Sequence, residues 1–313
     1  MDEFIERIRE KSKETSAVIV LPEGDDERVR KAEEIIRKQK IARTILLNPK
    51  NLDSRKIKEY ADIYYNLRGH KLASKDEAKQ IVSNPVFYAA MMTRLGEADG
   101  FVAGASHTTS LVARASIQCV GVREDVGLAS SCFIMIMPQC KYGEGGVFVF
   151  ADCGIIPYPT SEQLSKIAIL SSQVFEEVVG KEARVAFLSY STKGSAEGTS
   201  INKVRQAVEI TKKVAPQIVL DGELQADSAI VPQVAQIKCK DSPLKGKANV
   251  LIFPNLDAGN ICYKLVERLA QARALGPLLM GLNKPCSDLS RGCSVDDVID
   301  CVAITSIRVG NRQ

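Results

Sequence analysis

The chain has no tryptophan and only two histidines, His70 and His107. So few imidazoles leave little to ligate a transition metal or to activate a serine or cysteine, so no bound metal and no Cys-His nucleophile are expected. Its nine cysteines (119, 132, 140, 153, 239, 262, 286, 293 and 301) are odd in number and contain no Cys-x-x-Cys pair. That pattern argues against a disulfide framework and a thiolate zinc site, and predicts a reducing, cytoplasmic setting. There is no block of basic residues, and a net charge of +4 is too weak a field for nucleic acid but suits a small polyanion. The longest weakly polar stretch, Val126 to Met137, is well short of the ~20 residues needed to cross a bilayer, so no membrane span is expected. The N-terminal run Met1 to Glu10 alternates charges along an amphipathic helix and lacks the apolar middle of a secretion signal.

What is present is an ordinary soluble composition, 45% hydrophobic and 26% charged, enough to bury a sizeable core. A chain of 313 residues exceeds the ~250–300 at which one core stops growing, so two domains are expected. Short β-rich runs alternate with longer helical patterns, which predicts an α/β fold with mostly parallel sheets. Expected strands are Ala17 to Leu21, Thr44 to Leu47, Gly100 to Ala103, Cys132 to Met137, Val147 to Ala151, Val185 to Ser189, Ile218 to Leu220 and Val250 to Phe253. Between them, Asp26 to Lys38 and Ser161 to Val179 carry apolar residues at helical spacing. The turn-rich run Pro138 to Gly146 reads as a crossover between domains, and periodicity does not say which sheet the last helix joins.

Chemistry concentrates near the end of the chain, in Asp288-Leu289-Ser290-Arg291-Gly292-Cys293-Ser294-Val295-Asp296-Asp297. Arg291 can grip a phosphate through a planar fork, Ser290 can donate to a developing oxyanion, and Asp297 can accept a proton. Together they suggest acyl transfer involving phosphate. Each residue also has a plainer reading, Ser290 as a turn residue and Arg291 as a surface cation. Ser294-Val295-Asp296-Asp297 fits a helix capping box, and spacing alone favours the cap for Asp297. A helix N-terminus also favours the charged carboxylate, which works against a base. Asp and thiol differ by roughly 4.6 units at their ordinary values of about 3.9 and 8.5, so full proton transfer between them is uphill by about 6 kcal/mol. A base at Asp297 therefore needs burial or a transfer concerted with bond formation.

The same string resembles the C-terminal motif of the phosphate acetyl/butyryltransferase family, and its phosphate acetyltransferase (phosphotransacetylase) branch most closely. Four further strings carry the likeness in order: Gly96 to Ala105, Leu188 to Ser195, Asp221 to Asp227 and Asn249 to Pro254. The resemblance implies two α/β domains of the isocitrate/isopropylmalate dehydrogenase type with an interdomain cleft, residues 1–138 and 295–313 forming one domain and 139–294 the other. It implies reversible transfer of an acetyl group between coenzyme A and inorganic phosphate, with CoA a substrate and no cofactor required. Ser290, Arg291 and Asp297 are then catalytic, and Arg68, Arg114, Arg268, Ser130 and Ser131 bind substrate. At Arg114 the chain departs from the pattern, because Ala115 follows where many relatives carry proline. The resemblance also implies a homodimer.

Several alternatives stay open at this stage. A butyryl or propionyl transferase shares the chemistry, since one methylene changes binding by only ~1–3 kcal/mol. A 2-hydroxyacid dehydrogenase shares the implied fold, although no G-x-G-x-x-G follows the first strand. A non-catalytic CoA-binding protein on this scaffold is the third. Ser106-His107-Thr108-Thr109 offers hydroxyls and free amides to an anion, and Lys193 to Gly198 resembles a phosphate loop in outline without the G-x-x-x-x-G-K-[ST] spacing. Cys140 and Cys293 lie near the implied cleft, but direct displacement is preferred to an acyl-cysteine intermediate.

Overall fold

Strand-sized β-branched runs and longer amphipathic runs largely fold as their periods predict, and several of the helices, among them α2, α7 and α12, are capped at the first turn by their own sequence. A computed structural model describes residues 2–311; Met1, Arg312 and Gln313, which the sequence reading assigns to the first domain, lie outside the described residues. The chain divides into two compact units, Asp2–Ala129 with the stretch from Gly281 onward, and Ser130–Met280.

The first unit opens with α1 (Asp2–Ser12), β1 (Val18–Leu21), α2 (Glu27–Gln39) and β2 (Arg43–Leu46). Three helices follow, α3 (Ser54–Arg68), α4 (Lys75–Val82) and α5 (Pro85–Arg94), then β3 (Gly100–Ala103) and α6 (Thr109–Ala115). The second unit contains β4 (Ser130–Ile136), β5 (Val147–Ala151), α7 (Ser161–Val179), β6 (Arg184–Leu188), α8 (Thr199–Val214) and β7 (Val219–Leu224). It continues through α9 (Ala226–Ile230), α10 (Pro232–Lys238), β8 (Val250–Ile252), α11 (Leu256–Leu269) and β9 (Arg273–Met280). The chain then returns to the first unit with β10 (Cys286–Asp288) and α12 (Val295–Gly310).

In the first unit the strands lie in the order β2-β1-β3-β10, every neighbour parallel. Helix α12 is buried along most of its length because it packs on α1, α2, β1, β3 and β10, which answers where the last helix belongs. Arg9 of α1 fastens it, donating to Asp300 at 2.7 Å and Asp296 at 2.8 Å. In the second unit the order is β9-β4-β5-β8-β6-β7. There β4 runs antiparallel to both neighbours, while β5, β8, β6 and β7 are parallel. All of β4 and β5 is buried, as strands covered on both faces must be.

Three expectations need correction. The run Pro138 to Gly146 is no domain crossover but the hairpin joining β4 to β5. The Met137 amide donates to Gly146 O at 2.9 Å, and Gly143, Gly145 and Gly146 take the positive φ that the tight return requires. The units accordingly part at 129/130 and 280/281, earlier than 138/139 and 294/295: β4 pairs only within the second unit's strands, and β10 with its following loop pairs with β3. Strands β9 and β10 are absent from the expected set. Gly276-Pro277 inside β9 reads as a turn, and β10 is only three residues long with two of them polar.

Candidate active site

Parallel strands gather functional loops at their carboxyl ends, and in the first unit β1, β3 and β10 each stop beside the start of a helix. After β1, Glu23 is buried and collects the loop that follows β3. It accepts backbone N–H bonds from Gly104, Ala105 and Ser106 at 2.9 Å and from His107 at 3.0 Å, together with Ser106 Oγ at 3.0 Å and His107 Nδ1 at 2.7 Å. Burial alone pushes its pKa up; the bonds from His107 and from the Ser106 and Ala105 amides outweigh burial and hold it below the usual carboxylate range. The amides of Ser106 and His107, expected to be open to an external anion, are thus engaged by the chain's own carboxylate.

The motif loop is held from two sides. Leu289 N–H donates to Ala103 O at 2.8 Å, and Cys293 N–H donates to Ser290 O at 2.9 Å, closing a tight turn. Arg28, in the first turn of α2, donates to Arg291 O at 2.8 Å, Cys293 O at 2.9 Å and Ala105 O at 2.7 Å while paired with Asp26 at 2.7 Å. One guanidinium therefore binds the ends of all three loops. Sequence reading missed it; the acidic run at 25–27 marks a helix start, but nothing local says that its arginine reaches residues over 260 positions away.

Ser290 and Arg291 face solvent on this turn. Ser290 Oγ accepts from the Gly292 amide at 3.3 Å, and its own proton stays available for a ligand. No side-chain partner is seen for Arg291 among the described residues, so its fork is presented outward. Asp297 is the third residue of α12 and forms the capping box with Ser294. Its Oδ2 accepts from Ser294 N–H and Oγ, each at 2.9 Å, and its N–H donates to Ser294 Oγ at 3.1 Å. The cap read from spacing is real, and it places the carboxylate six residues beyond Arg291, in the first turn of the helix that the loop enters. Cys293 is buried beside them, and burial pushes its thiol up to about 11 despite the Arg28 charge. It is held as a thiol and is a poor acyl nucleophile.

Asp288 is the second carboxylate that sequence reading passed over. It ends β10 and is fully buried; the Thr109 side chain and the Leu289 amide bear on its carboxylate, but neither oxygen completes a well-formed hydrogen bond among the described residues. Burial, with the Glu23 charge adding to it, pushes its pKa up to about 7. Gly104 makes room for it: a Cβ there would lie 2.3 Å from Asp288 Oδ1 and 2.5 Å from Leu289 O.

Arg68 and Arg114 form a separate corner of the same unit. Arg68 closes α3, Arg114 sits on α6 with its guanidinium 5.5 Å from the Phe87 ring centroid, and both charges act on Tyr64 between them. Ser130 and Ser131 belong to the second unit, at the start of β4. Their buried hydroxyls donate to Asp152 at 3.0 and 2.6 Å, and Asp152 also accepts from the amides of Gly154, Ile155 and Ile156. Both hydroxyl protons expected for substrate are committed to that carboxylate. Arg268, in the last turn of α11, is largely exposed, with Glu267 3.8 Å away. Among the described residues no group of three or more His, Cys, Asp or Glu side chains is placed to hold a metal ion, and the nine cysteines are free thiols.

A parallel-strand scaffold that presents a hydroxyl and a guanidinium on a strand-end loop and a carboxylate in the first turn of the helix it enters suits an acyl- or phosphoryl-transferring class of protein. Residues 3–306 match the family described as phosphate acetyl/butaryl transferase, and the chain belongs to that family. It is 45% identical to the phosphate acetyltransferase of Acetivibrio thermocellus over 97% of this chain and 98% of that one. It is 43% identical to the enzyme of the same name from Thermoanaerobacterium thermosaccharolyticum, over 97% and 99%. Among solved structures, a phosphotransacetylase from Streptococcus pyogenes superimposes with a TM-score of 0.90 at 32% identity, covering 99% of this chain and 98% of that one.

Proposed function

We propose that this acyltransferase interconverts acetyl-CoA and inorganic phosphate with CoA and acetyl phosphate, by direct attack of the CoA thiolate in a ternary complex. The observation that carries the reading is the Ser290-Arg291 turn, exposed at a strand end and locked by Arg28, in a chain that matches the family over residues 3–306. Asp297 takes the thiol proton as sulfur attacks the acetyl carbonyl. Ser290 donates to the oxygen that becomes negative, and Arg291 holds the phosphate. The carbon–sulfur bond forms, the carbon–oxygen bond to phosphate breaks, and the proton passes from Asp297 to the departing phosphate. Because a free Asp lies so far below a thiol, this transfer is concerted with attack.

Arg68 and Arg114 supply charge for the phosphates of CoA, and Arg268 is the third such cation. Ser130 and Ser131 bear on substrate binding rather than on turnover, through the Asp152 loop that they fix. The preference for acetyl rests on relatives of 38–45% identity that are named phosphate acetyltransferases. A homodimer is part of the reading. Ile261, Leu265 and Leu269 make an exposed apolar ridge along α11, at 58%, 53% and 81% exposure, which suits the same ridge of a second copy. A cytoplasmic location accords with nine free thiols. None of the described helices is long and apolar enough to cross a membrane.

The decisive measurement is thioester formation from CoA and acetyl phosphate by purified protein, followed in both directions and repeated with propionyl and butyryl phosphate. Absence of phosphate-dependent acetyl-CoA turnover ends the proposal; a higher kcat/KM for butyryl than for acetyl phosphate moves it to the neighbouring substrate. Light scattering on wild type and Leu265→Lys tests the dimer, which requires the variant to fall to monomer mass.

A further inference from the structure

In the first unit β1 and β2 run parallel, and the segments that lead into them meet at the end of the sheet opposite to the one that carries Glu23 and the motif loop. A surface cavity of about 460 Å³ lies there, within the ~300–1,000 Å³ of small-molecule sites. Four cations from three elements line it: Lys13 beyond α1, Arg37 in the last turn of α2, Lys40 just past that helix, and Arg43 at the start of β2. Ser16 and Thr44 add hydroxyls, and no Asp, Glu or aromatic side chain lines the cavity among the described residues.

Cations at a helix end ordinarily serve the last carbonyls, but here the backbone does much of that work. The Lys40 amide donates to Arg37 O at 3.3 Å and the Ile41 amide to Ile36 O at 3.0 Å. Nearby acids are partly committed elsewhere: Glu33 accepts from Thr44 Oγ1 at 3.0 Å and stands 3.7 Å from Arg37, and Glu10 pairs with Lys13. Lys40 and Arg43 have no side-chain partner among the described residues. Lys40 and Ser16 hold φ at 58° and 51°, a region that residues with a Cβ seldom enter, and both border this cavity. Like charges gathered with no acid between them repel, and an anion that bridges them removes the repulsion. Two guanidinium forks with two ammonium groups suit two phosphates, and a concave site without rings suits neither a base nor a long nucleic acid. The cavity is also tied to the motif loop. Helix α2 ends at the cavity with Arg37 and begins with Arg28, about 14 Å away along the axis, which holds the carbonyls of Ala105, Arg291 and Cys293. Strand β1 starts beside Ser16 and leads to Glu23.

We propose that the cavity at the amino ends of β1 and β2 is an effector site for a small metabolite carrying two phosphate groups, and that its occupancy steadies the motif loop through α2. The effect on turnover rests on the transferase reading above; the binding does not.

Calorimetric titration of the full chain with fructose 1,6-bisphosphate as the probe is expected to show binding that weakens with added salt, and at least tenfold weaker binding of fructose 6-phosphate. The double variant Arg37→Gln, Arg43→Gln is expected to lose at least tenfold in affinity for the bisphosphate. Lys38→Gln, on the same helix turn but outside the cavity lining, should keep it. The bisphosphate is expected to lower KM for acetyl phosphate at least twofold in the wild type and to leave it unchanged in the double variant, whose turnover without the probe equals that of the wild type. By reciprocity acetyl phosphate must tighten binding of the bisphosphate by the same factor. Equal affinity in wild type and double variant, including binding in both that phosphate displaces, overturns the site, as does no binding to the wild type at millimolar probe. Binding lost in the double variant with no change in KM in the wild type overturns the coupling through α2. If the wild type turns over no acetyl-CoA yet shows binding that the double variant loses, the transferase reading fails and the site stands. Slower amide exchange at residues 289–293 with the probe bound then reads the coupling, and unchanged exchange there overturns it.

Discussion

Glu23 in the first unit and Asp152 in the second do the same work in different company. Each is a buried carboxylate after a strand that gathers the amides of a loop, four N–H groups for Glu23 and three for Asp152, and each adds hydroxyl donors. Around Asp152 the neighbouring hydroxyls of Ser130 and Ser131 are turned inward and satisfied. Around Glu23 the neighbours are Asp288, buried without a well-formed hydrogen bond among the described residues, and the outward-facing Ser290 and Arg291. A saturated nest makes a loop rigid. Reactivity needs such a nest beside groups that are not saturated, and the first unit has both. The same contrast separates Glu23 from Asp288, two carboxylates of one cluster whose surroundings drive their pKa values in opposite directions.

The largest effect is expected where the cap and the proposed base coincide. Asp297→Asn keeps an oxygen able to accept from Ser294, so the capping box survives and Tm should move by little. It removes the proton acceptor, and kcat should fall on the order of 10²–10⁴-fold with KM for CoA nearly unchanged. Steady-state kinetics beside thermal melting separate the roles. A variant that keeps kcat returns Asp297 to the cap that its spacing describes.

Next come the two nests themselves. Glu23→Ala and Asp152→Ala each strand several buried donors at once, and each should cost about 3–5 kcal/mol in denaturant titrations. The comparison predicts that they part in activity. Loss of Glu23 frees the 104–107 loop, whose Ala105 carbonyl shares Arg28 with Arg291, so the folded remainder should also lose kcat, on the order of tenfold. Equal residual kcat in both variants would break the contrast.

How far the site was legible follows from these contacts. The capping box at Ser294, the strand-to-helix turn at Asp26 and the strands β1, β3 and β5 are written in adjacent residues, and local chemistry decides them. The partnership of Glu23 with residues 81 to 84 positions away, and of Arg28 with a loop 263 positions away, exists only once β1, β3 and β10 are side by side. Strand β10 was itself unreadable, since a three-residue strand ending in Asp has no β-rich pattern. Without it Asp288 looks like a loop carboxylate rather than a buried one. Ser130 and Ser131 were read as ligand groups because nothing local shows that Asp152 will lie across the strand pair from them.

Asp288 supplies a pH test of intermediate size. Its pKa rises from 3.8 to about 7 on folding, so its contribution favours the folded state fully below about pH 4 and is lost as pH climbs through 7. Glu23 has the opposite sign: its lowered pKa contributes stability above about pH 4.5, lost as pH falls through the folded value. Asp288→Asn, neutral at every pH, should therefore flatten the decline in unfolding free energy between pH 5 and 7 by about 2 kcal/mol. It should leave the acid limb, which belongs to Glu23, in place. Urea titrations at half-unit pH intervals give both limbs, and an unchanged slope above pH 5 would show that Asp288 is solvated or paired in solution.

The smallest effect is expected at the residue that most looks reactive. Cys293 lies inside the motif, between Arg291 and Asp297, and a thiolate there could carry an acyl group in a double-displacement route. Burial instead pushes its thiol up to about 11, so only about one in ten thousand is ionised at pH 7 and about one in a thousand at pH 8. Cys293→Ala removes a small apolar filler and should cost about 1 kcal/mol of stability while leaving kcat within about threefold. Bulky thiol reagents should still inactivate the wild type slowly by wedging the turn that Arg28 holds, and CoA should protect against them. A Cys293→Ala enzyme with less than a hundredth of the wild-type kcat, and a Tm within a few degrees, would replace direct attack by an acyl-cysteine intermediate. It would also move the reactive group of the first unit from the exposed face of the turn to its buried one.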